Sequence, residues 1–182
     1  MRELSLHVLD IVQNSLAARA RKVAIMITED SHSNRLRLEI ADDGRGMDEE
    51  KVKKVLDPFY TTRTTRRVGL GLSLLEANAR QCGGGIAVIS LPGKGTVVKA
   101  DFILDHIDRP PVGDMVSTML ALISVSPGVD FYYLRRRDDK SFFFETAKVK
   151  KMLEGVPLNH PGILSWLKDF LTEKEKEVDW MD

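Results

Sequence analysis

Two short runs constrain this chain more than anything else in it. Residues 22–28 (KVAIMIT) and 35–41 (RLRLEIA) read as β-strands, and the polar segment EDSHSN between them reads as the turn of a hairpin. A hairpin cannot stand alone in water, so its apolar face needs a cover. The preceding stretch supplies one: from Leu4 to Ala20 the apolar residues Leu6, Leu9, Val12, Leu16 and Ala20 recur at steps of three and four, the period of a helix. Further on, DDGRGM is a glycine turn and DEEKVKKVL a short helix with acids at its start. A helix is expected over about residues 70–82, ended by GGG, followed by strands at 86–90 and 96–104 around the turn LPGKG. The expectation is an α/β sandwich of the α+β class, a mixed sheet with helices on one face.

The segment 105–114, DHIDRPPVGD, has the composition of a linker. Residues 1–106 are therefore expected as one domain and 107–182 as a small α+β accessory domain. In the latter, MVSTMLALI, AKVKKMLEG and HPGILSWLKDFLTEKEKEV suggest helices, and VDFYYLRRRDDKSFFFET an aromatic hairpin turning at Asp138 and Asp139. Its aromatics read as core, and Arg135 to Arg137 as a solvated edge.

With 27 basic and 27 acidic residues the net charge is zero, which argues against a duplex-DNA binder relying on phosphate neutralisation. One cysteine, Cys82, excludes an internal disulfide and a thiolate metal cluster. No signal peptide or membrane span is evident, so the cytoplasm is the expected address.

The glycines suggest phosphates, but the two familiar loops fail. Lys94 is followed by glycine where a Walker loop needs Ser or Thr, and every G-x-G here lacks the third glycine of a dinucleotide fingerprint. An EF-hand is excluded by the spacing of the acids in DDGRGMDEE. Four pieces remain, in order: Asp10 and Asn14 on one helix face; Asp42-Asp43-Gly44-Arg45-Gly46; DPFYTTR with Gly69-Leu70-Gly71-Leu72; and GKGT ending in Thr96.

In that order the pieces resemble the GHKL superfamily of ATP-binding proteins, which includes gyrase, heat-shock chaperones, sensor histidine kinases and mismatch-repair ATPases. The resemblance covers roughly residues 3–104: DIVQNSLAARARKVAI is similar to the N box, IADDGRGM to the first glycine box, DPFYTTR to the F box, and VGLGLSLL with LPGKGT to the later glycine boxes. It implies a Bergerat-type ATP-binding fold and ATP with Mg²⁺ as ligands. Asn14 would offer its amide oxygen to the ion, since Mg²⁺ keeps several waters and needs few protein ligands. Asp42 would accept from the adenine amine and so discriminate against guanine, with Thr96 completing the contact; such a hydrogen bond is worth about 1.5–3 kcal/mol. Gly44 and Gly46 would let the backbone approach the base. Thr61, Thr62 and Arg63 would belong to a lid over the triphosphate, and Gly69, Leu70, Gly71 and Leu72 to the helix start that receives the phosphates. Asp10 would be the general base.

Two departures qualify the resemblance. Arg67 stands where the kinases carry the first glycine of Gly-Thr-Gly-Leu-Gly-Leu, which implies a stiffer hinge or a further phosphate contact. Asp10 stands where the hydrolysing branches carry glutamate, one methylene longer, which implies slow hydrolysis. None of the four histidines is followed by the acid that accompanies a phospho-accepting histidine, so that domain of the sensor kinases is expected to be lacking. Three functions follow as expectations: phosphoryl transfer from ATP to a partner protein in trans, an ATPase conformational switch, or an ATP-binding interaction module. The protein partner is expected to bind through residues 107–182.

Overall fold

The computed structural model describes residues 3–55 and 70–179. Helix α1 (Leu4–Ala17) leads into the hairpin of β1 (Lys22–Asp30) and β2 (Arg35–Asp42). Helix α2 (Glu49–Lys54) follows, capped by the Asp48 carboxylate, which accepts from the Lys51 N–H at 2.9 Å. Next come α3 (Leu70–Gln81), β3 (Gly85–Leu91) and β4 (Gly95–Ile103). The remainder is α4 (Met115–Val125), β5 (Asp130–Arg137), β6 (Lys140–Glu145), α5 (Thr146–Met152) and α6 (Pro161–Asp179).

All six strands form one mixed sheet in the order β3-β4-β2-β1-β5-β6, in which only the β1–β5 pair is parallel. Register aligns one face across five strands: Val98, Ile40, Ile25, Tyr133 and Phe144 form one row, and Ala100, Leu38, Ile27, Arg135 and Phe142 the next. Every one of these ten side chains is buried. Burial of each aliphatic or aromatic member stabilises the fold by about 1.5–3 kcal/mol. The opposite face carries half-exposed residues and surface ion pairs such as Arg37–Asp101 and Lys99–Glu39. The helices thus cover one face, as the α+β sandwich requires.

Residues from 107 onward do not stand apart. Strand β5 pairs along its length with β1, from Lys22 opposite Asp130 to Glu29 opposite Arg137. The linker-like segment docks as well: the Leu4 and Ser5 N–H groups, which open α1, donate to the carbonyls of Pro111 and Val112 at 2.9 and 2.8 Å. Those are two of the donors that a helix start leaves without partners.

Two expectations are corrected. The buried face of α1 is Leu4, Val8, Ile11 and Val12 together with the polar Ser5, His7 and Ser15, while Leu6 is 43% exposed. Apolar residues are dense enough on this helix to allow two overlapping stripes, and packing against α3 and α4 selects the one that carries polar groups inward. Arg135, read as part of a solvated edge, is 2% exposed. Its guanidinium bridges Glu29 at 3.2 Å and Asp179 at 2.9 Å beneath α6, with Glu175 at 3.6 Å, and Tyr133 donates to Glu175. The hairpin aromatics divide as the pleat dictates: Phe142 and Phe144 are buried and Phe143, between them, is exposed.

Candidate functional site

The described parts of the four sequence pieces, which for the third are Leu70, Gly71 and Leu72 alone, lie toward one end of the sheet, where β2 ends and β4 begins. Asp42 is the last residue of β2 and lies opposite Thr96, which lies opposite Ser90 on β3. Asp42 is held from both sides: Ser15 of α1 donates to Oδ2 at 2.7 Å, and the Gly44 N–H donates to Oδ1 at 2.8 Å. Each oxygen keeps a lone pair for a further donor. The neighbouring Asp43 does other work, accepting the Arg21 and Lys22 N–H groups through Oδ1 at 2.7 and 2.8 Å and so tying the end of β2 to the start of β1. Of the two adjacent acids, Asp42 is therefore the one on the helix-covered side.

Thr96 belongs to a second small network. Ser90 Oγ donates its one proton to the Gly95 carbonyl at 2.9 Å and accepts from the Met47 N–H at 2.8 Å. That leaves Thr96, 2.9 Å away, as a donor to Ser90. The glycine turn closes over this hairpin. Arg45 donates to the Ala18 carbonyl and accepts from the Gly93 N–H. Gly46 takes φ +65°, a left-handed conformation, and a Cβ there would overlap the Leu91 carbonyl. Gly44 is buried beside Ala18. The close approaches made by these two glycines within the chain are to the Asp42 carboxylate and Ala18 at Gly44, and to the backbone of Leu91 and Gly95 at Gly46.

Asp10 is half-buried and Asn14 exposed, one turn apart on α1. Asp10 faces the first turn of α3, where Gly71 packs so closely that a Cβ on it would overlap the Asp10 carboxylate. The contact brings the expected base to the helix start expected to receive phosphates. Leu72 is 8% exposed, so its side chain belongs to the core and its backbone alone faces the turn. Leu70 opens α3. Thr61, Thr62, Arg63 and Gly69 lie outside the described residues.

Sequence reading missed Ser15, Ser90 and His7. The first two carried a signal: Ser15 follows Asn14, and pairing strands around LPGKG puts Ser90 opposite Thr96. His7, fully buried on α1, stood within the helix with nothing to single it out.

Among the described residues, no helix is long and apolar enough to cross a membrane. Asp30, His32 and Asp138 bring three donor atoms within 4.8 Å of one another at the far end of the sheet, but the carboxylates there hold turns through Ser31 and Ser33.

The signal transduction histidine-protein kinase AtoS of Escherichia coli (strain K12) is 37% identical over 97 residues, 52% of this chain and 15% of that protein. The sensor histidine kinase ZraS of Klebsiella oxytoca is 30% identical over 90 residues, 49% of this chain and 19% of that one. The chain thus spans less than a fifth of the length of either relative. Among solved structures, the N-terminal domain of a DNA repair protein matches with a TM-score of 0.58 at 16% identity, over 79% of this chain and 52% of that one, a likeness of fold. Residues 2–106 match the family described as histidine kinase-, DNA gyrase B-, and HSP90-like ATPase, and the chain belongs to that family.

Proposed function

We propose that the chain binds Mg-ATP between α1, the end of β2 and the start of α3, and transfers the γ-phosphoryl group to a side chain of a partner protein. The observation that carries this reading is the doubly held Asp42 beside Thr96, an oriented carboxylate with acceptor capacity left for an exocyclic amine. Adenine offers that amine and guanine presents a carbonyl in its place. The α3 start, with its backbone N–H groups and helix dipole, is suited to the phosphates.

The residues fit Mg²⁺, since the exposed Asn14 supplies a hard amide oxygen one turn along α1 from Asp10, and an ion that keeps several waters needs few protein ligands. When bound, the ion neutralises charge on the phosphate oxygens. In the transfer, the bond from Pγ to the β,γ-bridging oxygen breaks, and a bond forms from Pγ to the partner's nucleophilic oxygen or nitrogen. Asp10 accepts the proton that the nucleophile loses, and ADP leaves. Of the large apolar side chains left exposed, Ile107, Val125, Phe143, Met152, Val156 and Trp166 lie in residues 107–182, which supports assigning partner contacts there.

A second reading, an ATPase switch, draws on the same contact of Asp10 with Gly71. A half-buried base packed against α3 admits a water more readily than a protein hydroxyl. The test is to follow γ-labelled Mg-ATP with the purified chain and with Asp10→Ala. Phosphate released by the chain alone and lost in the variant supports the switch. Label retained until a partner fraction is added, and then found on protein, supports transfer. Neither, with ATP bound, leaves an interaction module.

A further inference from the structure

His7 lies on α1 one turn before Asp10 and is fully buried. Its Nε2 is 3.1 Å from the Asn78 amide nitrogen on α3. An amide NH₂ group only donates, so Nε2 accepts and the proton of the neutral ring sits on Nδ1. Burial keeps the imidazole pKa below its ordinary value of 6.5, so the ring is neutral at pH 7. Nδ1–H has no hydrogen-bond partner among the described residues. The Gly71 backbone acts on the ring as a nearby acceptor and the Asp10 charge acts in the same sense, offsetting part of the effect of burial, although Nδ1 falls short of full hydrogen-bond geometry. A buried donor without an acceptor is costly, and native structures keep few of them.

Residues 71, 75 and 78 lie on one side of α3, and Leu75 between them is fully buried. His7 therefore packs along the α3 face whose first residue touches Asp10. We propose that His7 is a positioning residue of the nucleotide site: anchored to Asn78, it sets how the first turn of α3 stands against Asp10, and its spare Nδ1–H is the donor held for the Gly71 carbonyl. The inference rests on the reading of this site as one for Mg-ATP, and it concerns the phosphate side alone. Asp42, Thr96 and Ser15 lie on the adenine side, where Ser15 and Gly44 donate to Asp42 and Thr96 donates to Ser90, whereas the hydrogen bond of His7 is to Asn78.

The test compares Mg-ATP and adenosine binding to wild type, His7→Leu, His7→Gln and Asn78→Leu, with thermal melts for each. Adenosine probes the Asp42 side without phosphates. His7→Leu is expected to weaken Mg-ATP about tenfold while adenosine affinity stays within about twofold, the scale of one lost hydrogen bond. His7→Gln, which offers both an amide acceptor and an amide donor, should recover most of the loss. Asn78→Leu removes only the group that orients the ring and should show the same selective loss, smaller in size. Equal weakening of both ligands, or wild-type Mg-ATP affinity in His7→Leu or, should that variant not fold, in Asn78→Leu, overturns the positioning role. A folded wild type that binds neither ligand overturns the reading of the site itself, an outcome distinct from a failure confined to the variants.

Discussion

Ser15 of α1 donates to Asp42 of β2 at 2.7 Å, across 27 residues of sequence. The bond locks the carboxylate expected to read adenine to the helix that carries Asp10 and Asn14, so both halves of the proposed site share one support. Ser15→Ala removes the lock and leaves Asp42 with the Gly44 N–H alone. ATP affinity should fall about fivefold, the effect of about 1 kcal/mol, with little change in the melting temperature. Calorimetry on the variant checks it.

Gly71 and Asp10 make a second coupled pair. Gly71→Ala places a methyl group on the Asp10 carboxylate and should destabilise by about 1–3 kcal/mol, the usual effect of overpacking. In an Asp10→Ala background the clash is gone and alanine is the better helix former, by about 1 kcal/mol. The same substitution should then be neutral or stabilising. A double-mutant cycle by urea unfolding measures this change of sign.

Arg135 tests the far end of the sheet. Arg135→Leu removes the cation that joins Glu29 to Glu175 of α6 and leaves Glu29 with Arg137 at 3.6 Å. Breaking a buried ion pair on one side costs about 3–5 kcal/mol, so the variant should unfold at clearly lower urea. Where it remains folded, ATP affinity should match wild type, because the network does not touch Asp42, Asn14 or Asp10.

Asp114 gives a pH dependence of definite sign. It caps α4, accepting from the Ser117 N–H and hydroxyl, and these bonds hold its pKa below the ordinary 3.8. A carboxylate with a depressed pKa adds stability that is present above the unfolded-state value and lost as pH falls through the folded one. Asp114→Asn keeps a good N-cap, so it should resemble wild type at pH 7. Below about pH 4 it should lose less stability than wild type does, which thermal melts from pH 2 to 7 would show.

Local signals account for what was legible in the sequence. The three hairpins, the helix expected over about 70–82 and the turn at Asp138 each follow from periodicity and turn residues within about twenty positions. The motif order singled out Asp42, Gly44, Gly46 and Thr96 at the ends of strands and in the turns that the same signals delimit, and Asp10 with Asn14 on one face of α1. What stayed hidden depends on pairing between distant segments. Nothing local says that β5 lies parallel to β1, and that pairing turns Arg135 inward to meet Glu29 and makes the tail part of the same sheet. Likewise, the choice between two apolar stripes on α1 is made by α3 and α4, and it buries Ser15 and His7, which a polarity reading leaves in solvent.

The central claim is an adenine site built on Asp42. Calorimetric titration of the full chain with Mg-ATP and Mg-GTP, repeated on Asp42→Asn, tests it most directly. The account predicts Mg-ATP binding, GTP weaker by at least about tenfold, and a loss of at least about tenfold on substitution. A folded wild type that ignores ATP, or an Asp42→Asn variant that binds ATP as tightly as wild type, would contradict it.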